Sequence, residues 1–115
     1  LIADMTTNIA AARLLVHRMA WLMDRGEVSN RAASLAKYAA VNAAKHAATS
    51  AAEIFAGYAL ADEYPIKKIT AYVNMLAVGE GTPNVQRILI AEDALGMKDA
   101  GRHPVRNRLR APNVG

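Results

Sequence analysis

The sequence predicts an all-α protein, an up-down bundle of about four helices. Three observations support this: apolar residues recur at helical spacing, alanine is abundant, and no stretch alternates apolar with polar residues as a strand would. The chain has 115 residues, of which 53% are apolar and 21% charged, a balance that suits one folded domain with a small core. We expect residues 1–97 to form the bundle and residues 98–115 to form a basic tail.

A regular apolar stripe at the start of the chain predicts the first helix. The stripe consists of Ile2, Met5, Ile9, Ala12, Val16, Met19 and Met23. Steps of three and four residues keep such side chains on one face of a helix. Gly26 is expected to end this helix, because glycine is common just past a helix C-terminus.

A long alanine-rich segment predicts the second helix. Ser29 and Asn30 are both good N-cap residues, and the helical composition continues from there to about residue 60. The segment also carries a polar stripe, made of Asn42, His46, Thr49 and Glu53. One face of the helix is therefore expected to meet either solvent or a polar partner.

Two shorter helices are predicted between residues 65 and 96. Pro65 suits the first turn of the third helix, and Gly79 is expected to end it. Thr82 is a good N-cap for the fourth helix, with Pro83 at its first position and Gly96 beyond its end.

Several classes of site are excluded or disfavoured by composition. The chain has no cysteine, which excludes disulfides, thiolate metal sites and cysteine nucleophiles and fits a reducing compartment such as the cytosol. Its histidines, His17, His46 and His103, lack the mutual spacing of a metal site, so no metal is expected. No apolar run approaches the roughly 20 residues of a membrane span.

The net charge is +4, and much of it lies near the end of the chain. The basic residues of the predicted tail include Arg102, Arg106, Arg108 and Arg110. Such a tail could touch nucleic acid or acidic lipid, or it could be a solvated end that packs on a partner subunit. Because no aromatic residues interleave the arginines and no recognition motif is present, nucleic-acid binding is not expected.

One acidic residue stands out where the third and fourth helices meet. The segment "VGEGTPNVQR", residues 78–87, places Glu80 between two glycines just before a helix start. A carboxylate there is favoured by the unpaired N–H groups and the dipole of the helix, which is a sufficient structural reason for it. The functional interpretation is a general base on a flexible turn.

Four blocks of the sequence resemble the C-terminal helical domain of acyl-CoA dehydrogenases. They are "LIADMTTNIAAARLLVHRMAWLMDRG", "SLAKYAA", "EIFAGYALADEYPIKK" and "EGTPNVQRILIA". The last two are similar to the family patterns "QIxGGxGxxxEYPxx" and "EGTxxIQRxxIA". All four blocks occur in the family's order and at its separations, up to about Gly96.

The resemblance implies FAD-dependent α,β-dehydrogenation of an acyl-CoA thioester. In family members with this motif, the Glu of the Glu-Gly-Thr turn removes the α-proton, and that residue falls on Glu80. The resemblance also gives Thr82 and Asn84 flavin contacts and puts Gly81 near the thioester. Finally, it implies that Glu53 and Gly57 reach the FAD of a neighbouring subunit.

The implied partners are acyl-CoA, further copies of the chain in a dimer or tetramer, or a sister dehydrogenase subunit, and an electron-transfer flavoprotein. The family's active site also uses an N-terminal helical domain and a middle β-domain, which 115 residues cannot contain. Because the chain opens at Leu1 inside an amphipathic pattern, we expect a fragment of a longer enzyme or a subunit completed by another chain.

The sequence also departs from the family pattern, and the departures define an alternative. Glu53 stands in place of a glutamine, Ala56 and Ala59 in place of glycines, Ala71-Tyr72 in place of an Arg-Asp pair, and Gly79 where an aromatic residue is common. These changes favour a non-catalytic helical assembly module that pairs with a catalytic dehydrogenase subunit. The intact Glu-Gly-Thr turn favours the enzyme.

Overall fold

The computed structural model describes residues 1–27 and 29–97, which form four α-helices and their connections. The helices are α1 (Ile2–Asp24), α2 (Asn30–Phe55), α3 (Ile66–Val78) and α4 (Pro83–Ala94), with a 3-10 segment (Ala56–Leu60) directly after α2. The described residues contain no strand, and the predicted all-α fold with four helices is confirmed. The predicted basic tail, including Arg102, His103, Arg106, Arg108 and Arg110, lies outside the described residues.

The central element is α2, because α1, α3 and α4 each pack against it. The short connection after Asp24 brings the end of α1 to the start of α2. Farther along, Asn8 Nδ2 of α1 lies 3.5 Å from His46 Nδ1 of α2. The N-terminal part of α1 thus lies beside the C-terminal part of α2, so the two helices are antiparallel.

The third and fourth helices both run opposite to α2. In α4, Arg87 bonds to Tyr38 of α2, whereas Asp93, six residues later, pairs at 3.1 Å with Arg31. The order along α4 is therefore the reverse of the order along α2.

In the same way α3 begins near the C-terminal end of α2 and ends near its first third. Tyr64, just before α3, packs edge to face on Phe55 with ring centroids 5.3 Å apart. At the other end, the Leu76 carbonyl accepts a hydrogen bond of 3.1 Å from Lys37 Nζ. The connection between α3 and α4 therefore lies beside residues 37–38 of α2.

The core consists mainly of alanines. The buried apolar residues are Ala12, Ala32, Ala36, Val41, Ala43, Ala48, Ala59, Ile66 and Ala77. Among the described residues no large side chain is completely buried. Small side chains let helix backbones approach closely, so the helices here pack through backbone proximity more than through interlocking of large groups.

The predicted apolar stripe of α1 is divided by the structure. Ala12 is buried and Met5 and Met19 are half-buried, whereas the remaining members are exposed: Ile2, Ile9, Val16 and Met23. The two sets repeat at seven-residue intervals on adjacent faces of the helix. Within the described residues, the first set is the more buried of the two.

Helix starts follow the sequence closely. The Ser29 hydroxyl accepts from the Ala32 N–H at 3.1 Å and caps α2, and the Thr82 hydroxyl accepts from the Val85 N–H at 3.4 Å and caps α4. Pro83 occupies the first turn of α4, as predicted. No described helix combines the length with the apolar character that crossing a membrane requires.

The end of α2 was predicted wrongly. The α-helix ends at Phe55 and not near residue 60, because Ala56 adopts φ 47° and ψ −129°, which no helical residue has. The chain then continues as the 3-10 segment.

Candidate functional site

The turn between α3 and α4 (residues 79–82) presents Glu80 to solvent. Glu80 has φ 51° and Gly81 has φ 103°, so two successive residues have positive φ. This backbone joins α3 to α4, which both run opposite to α2, within a few residues. Glycine adopts such φ values freely, but a glutamate does so only at a cost of order 1–3 kcal/mol.

The position of Gly81 disfavours any other residue, because its φ is 103° and the Gln86 side chain lies against it. A Cβ atom there would lie 2.4 Å from Nε2 of Gln86, well inside contact distance. That same Nε2 donates a hydrogen bond of 3.4 Å to the Gly81 carbonyl. The glutamine amide therefore occupies the space that the glycine leaves open.

The sequence interpretation assigned no role to Gln86, although the residue is buried with 8% of its surface exposed. A signal was present, since Gln86 lies three and four residues before Leu89 and Ile90 and so shares their face of α4. A polar residue on an apolar face of a helix indicates a specific hydrogen bond.

Glu80 and Gln86 line an open groove of about 520 Å³ where α1, α2 and α4 meet. The remaining lining residues are Met19, Asn30, Ala33, Ser34, Lys37 and Leu89. Lys37 also ties the end of α3 to α2 through its bond to the Leu76 carbonyl. The predicted base, Glu80, therefore shares this groove with residues of α2 and α4, the two helices that support its turn.

The predicted flavin contacts Thr82 and Asn84 lie next to Glu80, and both are exposed. The Thr82 hydroxyl oxygen caps α4, and Asn84 Oδ1 accepts a 2.9 Å hydrogen bond from Arg87 Nη1. Both contacts use acceptor oxygens, so the Thr82 hydroxyl hydrogen and the Asn84 amide can still donate to a ligand. The structure brings Glu80, Gly81, Thr82 and Asn84 together in one turn.

Glu53 and Gly57 lie elsewhere. Sixteen residues separate Lys37 from Glu53 along α2, which is about 24 Å at the helical rise of 1.5 Å per residue. Gly57 has ordinary φ, and a Cβ atom there would meet nothing within 4 Å. Within one chain these two residues are therefore not part of the Glu80 turn.

An aromatic cluster surrounds this second region. Tyr64 packs edge to face on both Phe55 and Tyr58, with centroid separations of 5.3 and 5.8 Å. Together with Ile54 these rings line an open pocket of about 310 Å³. Nearby, Lys67 forms an ion pair with Asp62 that lowers the pKa of the Asp62 carboxyl below 3.8.

The described residues 1–27 and 29–97 contain no group of three or more His, Cys, Asp or Glu side chains that could hold a metal ion.

Comparison with known sequences identifies the family. The sequence model of the family described as "Acyl-CoA dehydrogenase, C-terminal domain" matches residues 1–95. The chain belongs to the acyl-CoA dehydrogenase family. Glu80, Gly81, Thr82 and Asn84 all fall inside the matched region of this acyl-CoA dehydrogenase domain.

Three relatives to which this acyl-CoA dehydrogenase domain is similar have different activities. It is 38% identical over 94 residues to a 3-(aryl)acrylate reductase of Clostridium sporogenes, covering 82% of this chain. It is 36% identical over 95 residues to a cyclohexane-1-carbonyl-CoA dehydrogenase of Geobacter metallireducens. It is 38% identical over 95 residues to an acyl-CoA dehydrogenase of Bacillus subtilis. The last two matches each cover 83% of this chain.

The acyl-CoA dehydrogenase domain spans about a quarter of the length of these relatives, 25% of each. A solved structure has the same helical arrangement, with a TM-score of 0.77 and 36% identity over 81% of this chain and 24% of that chain. It is described as "Electron transferring flavoprotein of Acidaminococcus fermentans: Towards a mechanism of flavin-based electron bifurcation".

Proposed function

We propose that this domain supplies the general base, Glu80, to FAD-dependent α,β-dehydrogenation of an acyl-CoA thioester by a longer protein or assembly. The observation that carries the proposal is the Glu80 turn. An exposed carboxylate is held there in an unfavourable backbone conformation by a neighbouring glycine and a buried glutamine. Strained backbone at an exposed acid is typical of functional sites.

The step assigned to Glu80 is removal of a proton. One carboxylate oxygen takes the α-proton of the thioester, and the C–H electron pair becomes part of the new α,β double bond. FAD, when bound, accepts the hydrogen that leaves the β-carbon together with its electron pair. Because an α-proton of a thioester is weakly acidic, the carboxylate must be close and well oriented, which a braced turn provides.

The residues of the turn fit a flavin nearby. Thr82 and Asn84 are exposed next to Glu80 and keep hydrogen-bond donors for a ligand. Glu53 lies about 24 Å along α2 from Lys37, which is beside the turn, and Gly57 lies beyond it in the 3-10 segment, so both would have to serve an FAD bound mainly by a neighbouring subunit. At that second position the carboxylate of Glu53 would repel phosphate unless it is protonated or paired.

The names of the relatives support a thioester or closely related substrate without fixing the direction of reaction. They include acyl-CoA dehydrogenases and an acrylate reductase. The same carboxylate serves both directions, since a group that removes the α-proton in dehydrogenation returns it in reduction.

The rest of the active site is expected from chain outside this domain or from partner subunits. We propose a homo-oligomer, dimer or tetramer, or a pairing with a sister dehydrogenase subunit, with an electron-transfer flavoprotein as acceptor. The exposed apolar side chains of α1, Ile2, Ile9, Val16 and Met23, support burial against other protein.

The alternative, a non-catalytic assembly module, is supported by a different observation. Ala56 takes a backbone conformation suited to glycine at a position where the family pattern has glycine, and Glu53 precedes it. The region implied to reach FAD is therefore altered, whereas the exposed apolar surface of α1 remains.

The test is Glu80→Gln in the longer protein that carries this domain, purified with its FAD. We expect dehydrogenation of acyl-CoA to fall by about 10²- to 10⁴-fold, while FAD content and thioester affinity stay unchanged. Exchange of the α-proton with deuterium oxide should fall with it.

Glu63→Gln is the matched control, because Glu63 is an exposed acid far along the chain from the turn. It should leave both rates unchanged. Wild-type turnover in Glu80→Gln would remove the base assignment, and purified longer protein without a flavin absorbance band would favour the assembly module.

A further inference from the structure

One side chain of α4, that of Gln86, contacts the Glu80 turn from inside the fold. Gln86 is buried at the fourth position of α4, between the exposed residues Val85 and Arg87. Burial of an amide costs free energy unless the amide is hydrogen-bonded. The Gln86 side chain makes one such bond, from Nε2 to the Gly81 carbonyl.

Gln86 binds two successive carbonyls of the turn. Its side-chain Nε2 donates to the Gly81 carbonyl at 3.4 Å, and its backbone N–H donates to the Thr82 carbonyl at 3.1 Å. Two donors from a single residue fix the orientation of two neighbouring peptide planes. The peptide that joins Glu80 to Gly81 immediately precedes these two in the chain.

The amide also fills the space above Gly81. A Cβ atom at position 81 would come within 2.4 Å of Nε2, so the Gln86 side chain in its present position requires glycine there. Successive positive φ values at Glu80 and Gly81 persist only where the surroundings determine the backbone. Gln86 supplies that constraint from inside the fold, and it lines the same groove as Glu80.

We propose that Gln86 is a positioning residue for the base: its side-chain amide holds the Glu80–Gly81 backbone so that the Glu80 carboxylate is oriented for proton removal. This inference rests on the function proposed above. It adds that orientation of the acid depends on a donor in α4 that does not itself touch the substrate.

The test compares Gln86→Met and Glu80→Gln in the longer FAD-containing protein. Methionine has a similar length and can be buried, but it cannot donate to the Gly81 carbonyl. We expect Gln86→Met to slow α-proton exchange with deuterium oxide by about 10- to 100-fold, with KM and FAD content unchanged.

A second variant separates positioning from loss of stability. Val41→Ala removes two methyl groups from a buried site on α2 and should lower Tm with no change in the exchange rate below the melting temperature. If Gln86→Met slows exchange while Val41→Ala, at a similar Tm, does not, the positioning role is supported. If the exchange rate of Gln86→Met equals that of the wild type, the positioning role is wrong. It is also wrong if the KM of Gln86→Met is raised.

The two proposals fail in different ways. Normal exchange in Glu80→Gln would remove the base assignment, whatever Gln86→Met does. Loss of exchange in Glu80→Gln together with normal exchange in Gln86→Met would overturn only the role of Gln86.

Discussion

Arg87 of α4 holds Tyr38 of α2 by two contacts. The guanidinium carbon lies 5.4 Å from the tyrosine ring centroid, and Arg87 Nε donates a 3.1 Å hydrogen bond to the Tyr38 hydroxyl. Arg87 Nη1 also donates a hydrogen bond to Asn84 Oδ1, in the first turn of α4. One cation thus ties the start of α4, directly after the Glu80 turn, to the central helix.

This contact predicts an altered titration of Tyr38. The hydrogen bond from Arg87, followed by one from Asn42, holds the pKa of Tyr38 below its ordinary value of 10.0. In Arg87→Met the pKa of Tyr38 should rise toward 10.0, measured from the ring-carbon NMR shift in tyrosine-labelled protein.

The lowered pKa of Tyr38 determines the pH range in which its contact with Arg87 stabilises the fold. The folded-state pKa of Tyr38 lies below the unfolded value, so the stabilisation linked to ionised Tyr38 is complete above pH 10.0 and is lost as pH falls through the folded pKa. An identical Tyr38 pKa in wild type and Arg87→Met would contradict the assignment.

Two glycines of the same turn should respond differently to alanine. Gly81→Ala should lower the free energy of unfolding by about 1–3 kcal/mol, because φ is 103° and the new Cβ meets Gln86. Gly79→Ala is the matched control, since its φ is −70° and its Cβ would lie 3.7 Å from the nearest atom, the Met75 carbonyl oxygen. Denaturant unfolding of the two variants measures the difference, and equal stabilities would contradict the described turn.

The break after α2 predicts a stabilising glycine. Alanine at φ 47° and ψ −129° is strained, so Ala56→Gly should raise the free energy of unfolding by about 1 kcal/mol. Ala52→Gly, within α2, should lower it by about 1 kcal/mol, because glycine weakens a helix interior. Thermal unfolding of both variants checks the sign, and a lower Tm for Ala56→Gly would show that this residue is not strained.

The exposed ion pair before α3 predicts a dependence on acid pH. The hydrogen bond from Lys67, followed by its charge, lowers the pKa of Asp62 below 3.8. The pair therefore stabilises the fold at pH above 3.8, and its contribution is lost as pH falls through the folded-state pKa. Lys67→Gln should return the Asp62 pKa toward 3.8 by NMR titration.

Lys68→Gln is the control for this experiment, because it removes the same charge from the next residue along α3. It should leave the Asp62 pKa lowered. A similar pKa change in both variants would indicate a general charge effect and not the specific pair.

Helix starts were predictable from single residues, whereas one helix end was not. Ser29, Thr82 and Pro83 act locally, through hydrogen bonds and fixed dihedral angles within one turn, so their roles can be read from sequence. The end of α2 depends on Ala56, whose intrinsic preference is helical. Its φ of 47° contradicts that preference, and the glycine that the family pattern has at this position is the signal that was overlooked.

The site divides in the same way. Glu80 and its immediate neighbours were predictable because they are adjacent in sequence and match a family motif. Gln86 was missed although it lies in the same motif and shares a face of α4 with Leu89 and Ile90, because its burial and its hydrogen bond to the Gly81 carbonyl are seen only in the folded structure. Which residues of the α1 stripe are buried likewise depends on which helices pack against α1, and the stripe alone does not give that information.

The alanine core has a consequence for how this domain can change over evolution. An alanine at a helix crossing has almost no side chain to lose, so shortening mutations leave hardly any void. Enlargement is the harmful direction: at Ala77, which is 1% exposed, even one added methyl group must push neighbouring backbones apart. Tolerance at these sites is therefore limited by molecular size, and variation should accumulate on the outer faces instead.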